Sequence, residues 1–291
     1  MAVWLAVLAI GLGACGHAGS ARPRPATSPA RPGPGLVLGQ APVRDTQGDA
    51  SVLSSEHVPF GTPMDADPSD DYLMDKGTYM LSYNPRRNVA NWVGWRVTAS
   101  DLGSVDRQND FRADPSLPDD YYKVVPKDYA GSGFDRGHFC PSADRSRTEE
   151  ENSSTFLMTN MHPQKPSLNR GPWKKLEDHT RQLVKAGKDA YALAGGLFSE
   201  RTIGHGVAVP SASYKVVVVL EAGQGLSDVT GETMVLSVVM PNDDSVKGKA
   251  WDSFAVSVKE LEKRSGYDLF SRLDDAVEEV LEAREPTAPQ P

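Results

Sequence analysis

What most narrows the fold of this chain is the order of its apolar patterns. Strand-like runs dominate, helical runs are scattered among them, and the regular strand–helix–strand alternation of a parallel sheet is missing. Tyr79 to Tyr83 and Trp92 to Val97 read as two strands around an Asn84-Pro85 turn. Tyr191 to Gly195, Lys215 to Leu220 and Met234 to Met240 read as three more, the last two dense in valine. Pro172 to Lys185 reads as a helix: Trp173, Leu176, Thr180, Leu183 and Val184 fall at helical spacing, and a proline is tolerated in a first turn. Lys259 to Arg264, closed by Gly266, and Leu273 to Glu282 read as two shorter helices. The expectation is a single mixed α+β domain over residues 55–282, built on a central antiparallel sheet.

The ends differ in kind. Val3 to Ala14 is an apolar run too short to span a bilayer as a helix but of the right length for the core of an export signal. It ends in Leu12-Gly13-Ala14-Cys15, which resembles the signal of bacterial lipoproteins, where the cysteine is lipidated and becomes the mature N-terminus. Residues 1–15 are therefore expected to direct export and to leave a lipid anchor on Cys15 at the cell envelope, although no Lys or Arg precedes the apolar run. Residues 16–54, rich in Pro, Ala, Gly and Arg, have the composition of a disordered tether, and residues 283–291 that of a flexible tail. The only cysteines are Cys15 and Cys140, so no disulfide framework holds the chain together and stability has to come from a packed core. A net charge of −8 is an unexpected sign for a protein that handles nucleic acid. The acidic residues, however, concentrate at Asp65 to Asp75 and Asp274 to Glu285, while basic ones crowd the middle, from Arg107 to Arg181.

Two segments carry candidate chemistry. In Tyr129-Ala130-Gly131-Ser132-Gly133-Phe134-Asp135-Arg136-Gly137-His138, the glycines allow close backbone approach or positive φ, so His138 is presented from a constrained segment. The second is Thr159-Asn160-Met161-His162-Pro163-Gln164, followed by Leu168-Asn169-Arg170-Gly171-Pro172-Trp173 and then Glu177. If the helix begins near Asn169, then Asn169, Trp173 and Glu177 share one face. A carboxylate beside a core-facing stripe needs a partner, and either Arg or Lys or a hydrated metal would serve. The residues alone leave both open, as they leave His138 between a catalytic base and a surface histidine beside an Asp135–Arg136 pair.

Asp135-Arg136-Gly137-His138, followed by Asn169 and then Glu177, resembles the ββα-metal DNA/RNA non-specific endonucleases. The likeness runs from about Gly77 to Tyr267. It includes Arg107-Gln108-Asn109-Asp110-Phe111-Arg112, Pro141-Ser142-Ala143-Asp144-Arg145 and Thr155 to Met161, in the pattern of the family's cyanobacterial branch. The resemblance implies a ββα-metal catalytic motif, hydrolysis of DNA and RNA without sequence preference, and 5′-phosphate products. It implies that His138 is the general base, that Asn169 binds Mg²⁺ or Mn²⁺ directly, that Glu177 holds waters of that ion, and that Arg107 faces the scissile phosphate. Asn160 is implied to help shape the site, and Arg136 and Arg170 to contact the substrate. A homodimer and an inhibitor protein are left open. The chemistry is coherent: a neutral imidazole with a pKa near ~6.5 deprotonates water well near neutral pH. Mg²⁺ prefers oxygen ligands, and a single neutral Asn leaves most of its charge for the leaving oxygen. Groups aimed at phosphate carry no base information, which fits the lack of sequence preference.

On the residues alone, Arg107 would pair with Asp106 or Asp110, Arg136 would brace Asp135 or a phosphate, Trp173 and His162 would be structural, and Cys140 would be a small buried apolar residue. The rival function is a catalytically silent envelope protein that binds nucleic acid through the same basic cleft. The joint presence of His138, Asn169, Glu177 and Arg107 speaks against it. A metalloprotease is disfavoured because no His-Glu-x-x-His pattern occurs.

Overall fold

The computed structural model describes residues 55–286. The expected export signal with Cys15, the tether at 16–54 and residues 287–291 of the expected tail lie outside them. In chain order the strands are β1 (Tyr72–Asp75), β2 (Met80–Asn84), β3 (Val89–Val97), β4 (Asp135–His138), β5 (Met161–Gln164), β6 (Lys188–Ile203), β7 (Val207–Glu221) and β8 (Met234–Pro241). Six of them form one sheet in the order β1-β2-β3-β6-β7-β8, with every neighbouring pair antiparallel. The remaining two, β4 and β5, pair with each other as a separate antiparallel ribbon. The helices are α1 (Glu149–Ser154), α2 (Lys174–Lys185), α3 (Val258–Ser265) and α4 (Asp275–Ala283), with short 3-10 turns between elements. The architecture is the mixed α+β fold on a central antiparallel sheet that the apolar patterns predict.

The valine density of β7 follows from burial on both faces. Val217 and Val219 pack with Trp95, Val238, Trp173, Leu176 and Val184, and so lie under α2. Val216, Val218 and Leu220 pack with Phe60, Val258, Leu261 and Leu281, under α3 and α4. A strand covered on both sides loses the alternation of apolar and polar residues, because each side chain meets a core. Helix ends follow the expected chemistry. Ser257 caps α3 by accepting from the Glu260 amide at 3.2 Å, and Gly266 ends it at φ 82°, in the left-handed region a glycine tolerates. Asp274 caps α4 through the Ala276 amide at 3.1 Å.

One feature fits the expected ββα motif but runs against residue propensity, and a second departs from expectation. The ribbon β4–β5 is strand, although Asp135-Arg136-Gly137-His138 and Met161-His162-Pro163-Gln164 are polar and carry a glycine and a proline, so neither has strand propensity. The helix does not begin at Asn169. Gly171, at φ −104° and ψ −120°, breaks the turn Asn169–Trp173 away from α2, so Asn169 and Glu177 do not belong to one continuous helical face. Asn169 instead sits on a separate turn leading into the helix.

Candidate active site

The ribbon sets the site. Its register opposes Asp135 to Gln164, Arg136 to Pro163, Gly137 to His162 and His138 to Met161. Gly131 and Gly133 take positive φ, 70° and 78°, in the turn that leads into β4. Gly137 is needed for a different reason: a Cβ there would fall 2.2 Å from Gln164 Oε1. Strand alternation then puts Arg136 and His138 on one face and Asp135 on the other. Where β4 ends, Asn160 holds the backbone. Its Oδ1 accepts from the Cys140 amide at 3.0 Å, and its Nδ2 donates to the carbonyls of Cys140 and Thr155 at 2.8 and 2.9 Å. Fully buried and with its amide spent on main chain, Asn160 acts by positioning the segment that carries His138.

His138 is 8% exposed, with the rings of Phe156 and Phe111 edge-on to it at 5.0 and 5.7 Å. Its carbonyl accepts from Trp173 Nε1 at 3.4 Å. Its Nε2 is buried and has no hydrogen-bond partner among the described residues. Burial, and then the positive charge of Arg107, the neighbouring His162 and Arg136, hold the imidazole well below its ordinary pKa, so it is neutral at physiological pH.

Two arginines stand beside it. Arg107 donates from Nε to Asn109 Oδ1 at 2.8 Å and from Nη1 to Ser142 Oγ at 2.6 Å, with its guanidinium 4.7 Å from the Phe156 ring centre. It does not pair with Asp106 or Asp110; Asp110 is engaged by Arg112 at 2.6 Å. Burial pulls its pKa down, Glu177 opposes that, and Arg136 reinforces it, which places the three charges within mutual influence. Arg136 lies 4.0 Å over the Phe111 ring and does not brace Asp135. Asp135 is taken instead by Arg170, through a two-pronged contact at 2.9 and 2.7 Å, and by Asn169 Nδ2 at 2.9 Å. Arg170 therefore meets the site with its guanidinium fork already on a carboxylate, though the side chain is 71% exposed.

Asn169, anchored through its amide nitrogen, keeps its Oδ1 oxygen as an acceptor. Glu177 has an unexpected partner, Lys215, whose ammonium reaches Oε1 at 3.4 Å from the middle of β7. Lys215 is 2% exposed and lies 4.2 and 5.1 Å from the rings of Trp173 and Trp95. Burial raises the Glu177 pKa, while Lys215 and Arg181 oppose that rise. Arg181 in turn binds Asp144 at 2.7 Å, and Asp144 accepts from Trp95 Nε1 at 2.9 Å. Among the described residues no cluster of three or more His, Cys, Asp or Glu side chains forms a metal cage. The oxygen donors on hand, Asn169 Oδ1 and the Glu177 carboxylate, suit a hard cation that keeps most of its own waters.

The remaining candidates sort by burial. His162 is fully buried, bonded through Nε2 to Ser213 Oγ at 3.0 Å and stacked on Phe139 at 4.0 Å, and burial holds it down to about 3. Burial pushes the Cys140 thiol up to about 12, so it is an inert apolar filler. Reading the chain alone misses Phe111, Phe156 and Lys215. Only Lys215 left a trace there, as a lone cation at the head of the valine run Val216 to Val219.

Strand, strand and helix thus follow one another around a neutral histidine, two arginines without a salt bridge and an oxygen-bearing asparagine, the constellation of a phosphodiester-cleaving enzyme. Residues 57–276 match the model of the DNA/RNA non-specific endonucleases, and the chain belongs to that family. It is 43% identical over 259 residues to a nuclease of Nostoc sp., covering 86% of this chain and 94% of that one. It is 32% identical over 209 residues to human mitochondrial endonuclease G, covering 67% and 68%. Its fold is similar to that in a crystal structure of an EndoG/EndoGI complex, with a TM-score of 0.66 and 28% identity over 78% of this chain and 94% of that one. The protein is an endonuclease of nucleic acid.

Proposed function

We propose that the enzyme hydrolyses DNA and RNA with a divalent cation, Mg²⁺ or Mn²⁺, leaving 5′-phosphates, and that His138 is its general base. The observation that carries this reading is the buried, partnerless Nε2 of a neutral His138 beside two arginines that form no salt bridge, although Glu177 lies close enough to Arg107 to act on its charge. An unsatisfied buried polar atom costs stability; other atoms share that state, His162 Nδ1 among them, and it is the position of this one beside Arg107 and Arg136 that points to a reacting partner. Nε2 takes the proton of the attacking water, while Trp173 holds the His138 carbonyl and Asn160 the backbone of Cys140 just after it. Arg107 and Arg136 offset the charge that builds on the phosphate. Asn169 Oδ1 and, through water, Glu177 would hold the cation, which when bound stabilises the charge of the leaving oxygen. Asp135 orients the Asn169 amide, and Lys215 and Arg181 favour the ionised Glu177.

Cleavage of a plasmid and of total RNA, with Mg²⁺ or with EDTA, beside His138→Ala, tests this. Metal-dependent cutting of both, abolished by the substitution, is expected. A wild-type protein that is inert with both metals yet retards DNA on a gel would establish the silent binding protein instead. We further propose, from the sequence of residues 1–15, export and a lipid anchor on Cys15. Labelled palmitate retained by the wild type and lost in Cys15→Ser is the expected result.

A further inference from the structure

Phe134 is buried but belongs to none of the apolar clusters, and two cations lie against it. Lys165 Nζ stands 4.9 Å from its ring centre and the Arg201 guanidinium 4.8 Å. Neither cation has a carboxylate within salt-bridge distance. The ring attracts each cation, but two like charges on it without a counter-charge repel each other, so the pair gains less than either contact alone.

Their place explains them. Phe134 precedes β4 by one residue, so alternation carries it on the same side as Arg136 and His138. Asp135 opposes Gln164, and Lys165 therefore continues the ribbon opposite Phe134. Asn242 pins that end by accepting from the Lys165 amide at 2.7 Å and donating to the Pro163 carbonyl at 2.9 Å. Arg201 arrives from the outer end of β6, where the pairing with β7 is irregular between Phe198 and Thr202. The result is a row on one face of β4. His138 and Arg107 lie at one end, Arg136 over Phe111 in the middle, and Lys165 with Arg201 over Phe134 at the other. Positions two residues apart in a strand are separated by roughly 6–7 Å. That is of the order of the separation between neighbouring phosphates along a nucleic-acid strand.

We propose that Lys165 and Arg201, together over Phe134, form a further phosphate subsite that holds the substrate backbone beyond Arg136. The proposal rests on the nuclease reading above and adds to it the direction in which the bound strand runs, along β4 away from His138. A row of fixed cations reads charge and not base, and it favours substrates long enough to span it.

The test uses Lys165→Met and Arg201→Met, singly and together, because methionine keeps an apolar stem over Phe134 while removing the charge. Binding of labelled oligonucleotides from the dinucleotide upward is measured in the His138→Ala background without added metal, with thermal melting to confirm folding. Each substitution is expected to weaken binding of the longer oligonucleotides several-fold, and progressively less as they are shortened. Each should also lower the slope of log affinity against log salt by roughly 0.7 to 0.9. Lys263→Met, on α3 across the sheet, should change neither. Variants that melt like the parent but keep its affinity and salt slope overturn the subsite and leave the nuclease assignment standing. A parent that binds no oligonucleotide of any length overturns both, which separates the two failures. Should a methionine variant melt far below the parent, Lys165→Arg and Arg201→Lys decide instead: retained slope supports the subsite, and a lost slope with charge intact overturns it.

Discussion

Two polar clusters of this molecule, one under β2 and β3 and one on the face of β4, contain similar residues and end in opposite states. In the first, Asn84 donates to Asp70 at 2.7 Å and to Asn91 at 3.0 Å, and accepts from the amides of Arg86 and Arg87 at 3.0 and 3.1 Å. Asn91 donates to Asp71 at 3.0 Å and accepts from Arg87 at 3.2 Å. The cluster satisfies itself. On β4, by contrast, His138 Nε2 has no partner and neither Arg107 nor Arg136 meets a carboxylate. A closed network stabilises the fold, whereas an open one stores capacity for something outside it. Two arginines make the same point. Arg145, 2% exposed, gives its donors to the carbonyls of Thr78, Arg96 and Asp144, while Arg136 lies over a ring with none of its donors engaged.

Substitutions in the open cluster should therefore cost activity and those in the closed cluster stability. The largest effect is expected for His138→Ala, with turnover reduced about 10²- to 10⁴-fold and a melting temperature within a few degrees of wild type. A large loss of melting temperature instead would make His138 a core residue. Arg107→Ala should follow, with turnover lowered about 10²- to 10³-fold and only partly recovered in Arg107→Lys, since an ammonium lacks the guanidinium fork. Asn91→Ala should do the reverse: it leaves buried carboxylates short of a donor and costs about 1–3 kcal/mol by chemical denaturation, with activity per folded molecule unchanged.

Acid sharpens the contrast further. Burial and the adjacent cations depress His138, so the acid limb of kcat/KM against pH should lie below the ordinary imidazole value of about 6.5; a limb above it would remove His138 as the base. His162 contributes to stability in the same direction. The unfolded chain takes up that proton near the ordinary value and the folded one only at about 3, so its contribution is intact above the first and lost as pH falls toward the second. His162→Gln is expected to flatten the fall in melting temperature across this window. The smallest effect on stability should come from Arg170→Ala, whose contact with Asp135 is exposed and screened by solvent, so the melting temperature should stay at the wild-type value.

Periodicity alone determined much of this protein. Strands β2, β3, β6, β7 and β8 and helices α2, α3 and α4 were legible because each buries a face, and a buried face imposes its spacing on the chain. As candidates for the site, His138, Asn169, Glu177 and Arg107 could be named only through the motifs that resemble the family, since a histidine or an arginine in a polar segment carries no mark of its surroundings. Tertiary structure alone decided the rest. The ribbon β4–β5 is strand because it pairs with itself and packs on the sheet through the His162–Ser213 bond, against the propensity of its residues. Asp135 belongs to Arg170 and Asn169 and not to its neighbour Arg136, and Glu177 belongs to Lys215 from a strand far along the chain. Burial acts locally on apolar side chains and so leaves a pattern in the chain. Charge pairs whatever the fold brings within a few ångströms, and that distance exists only once the chain has folded.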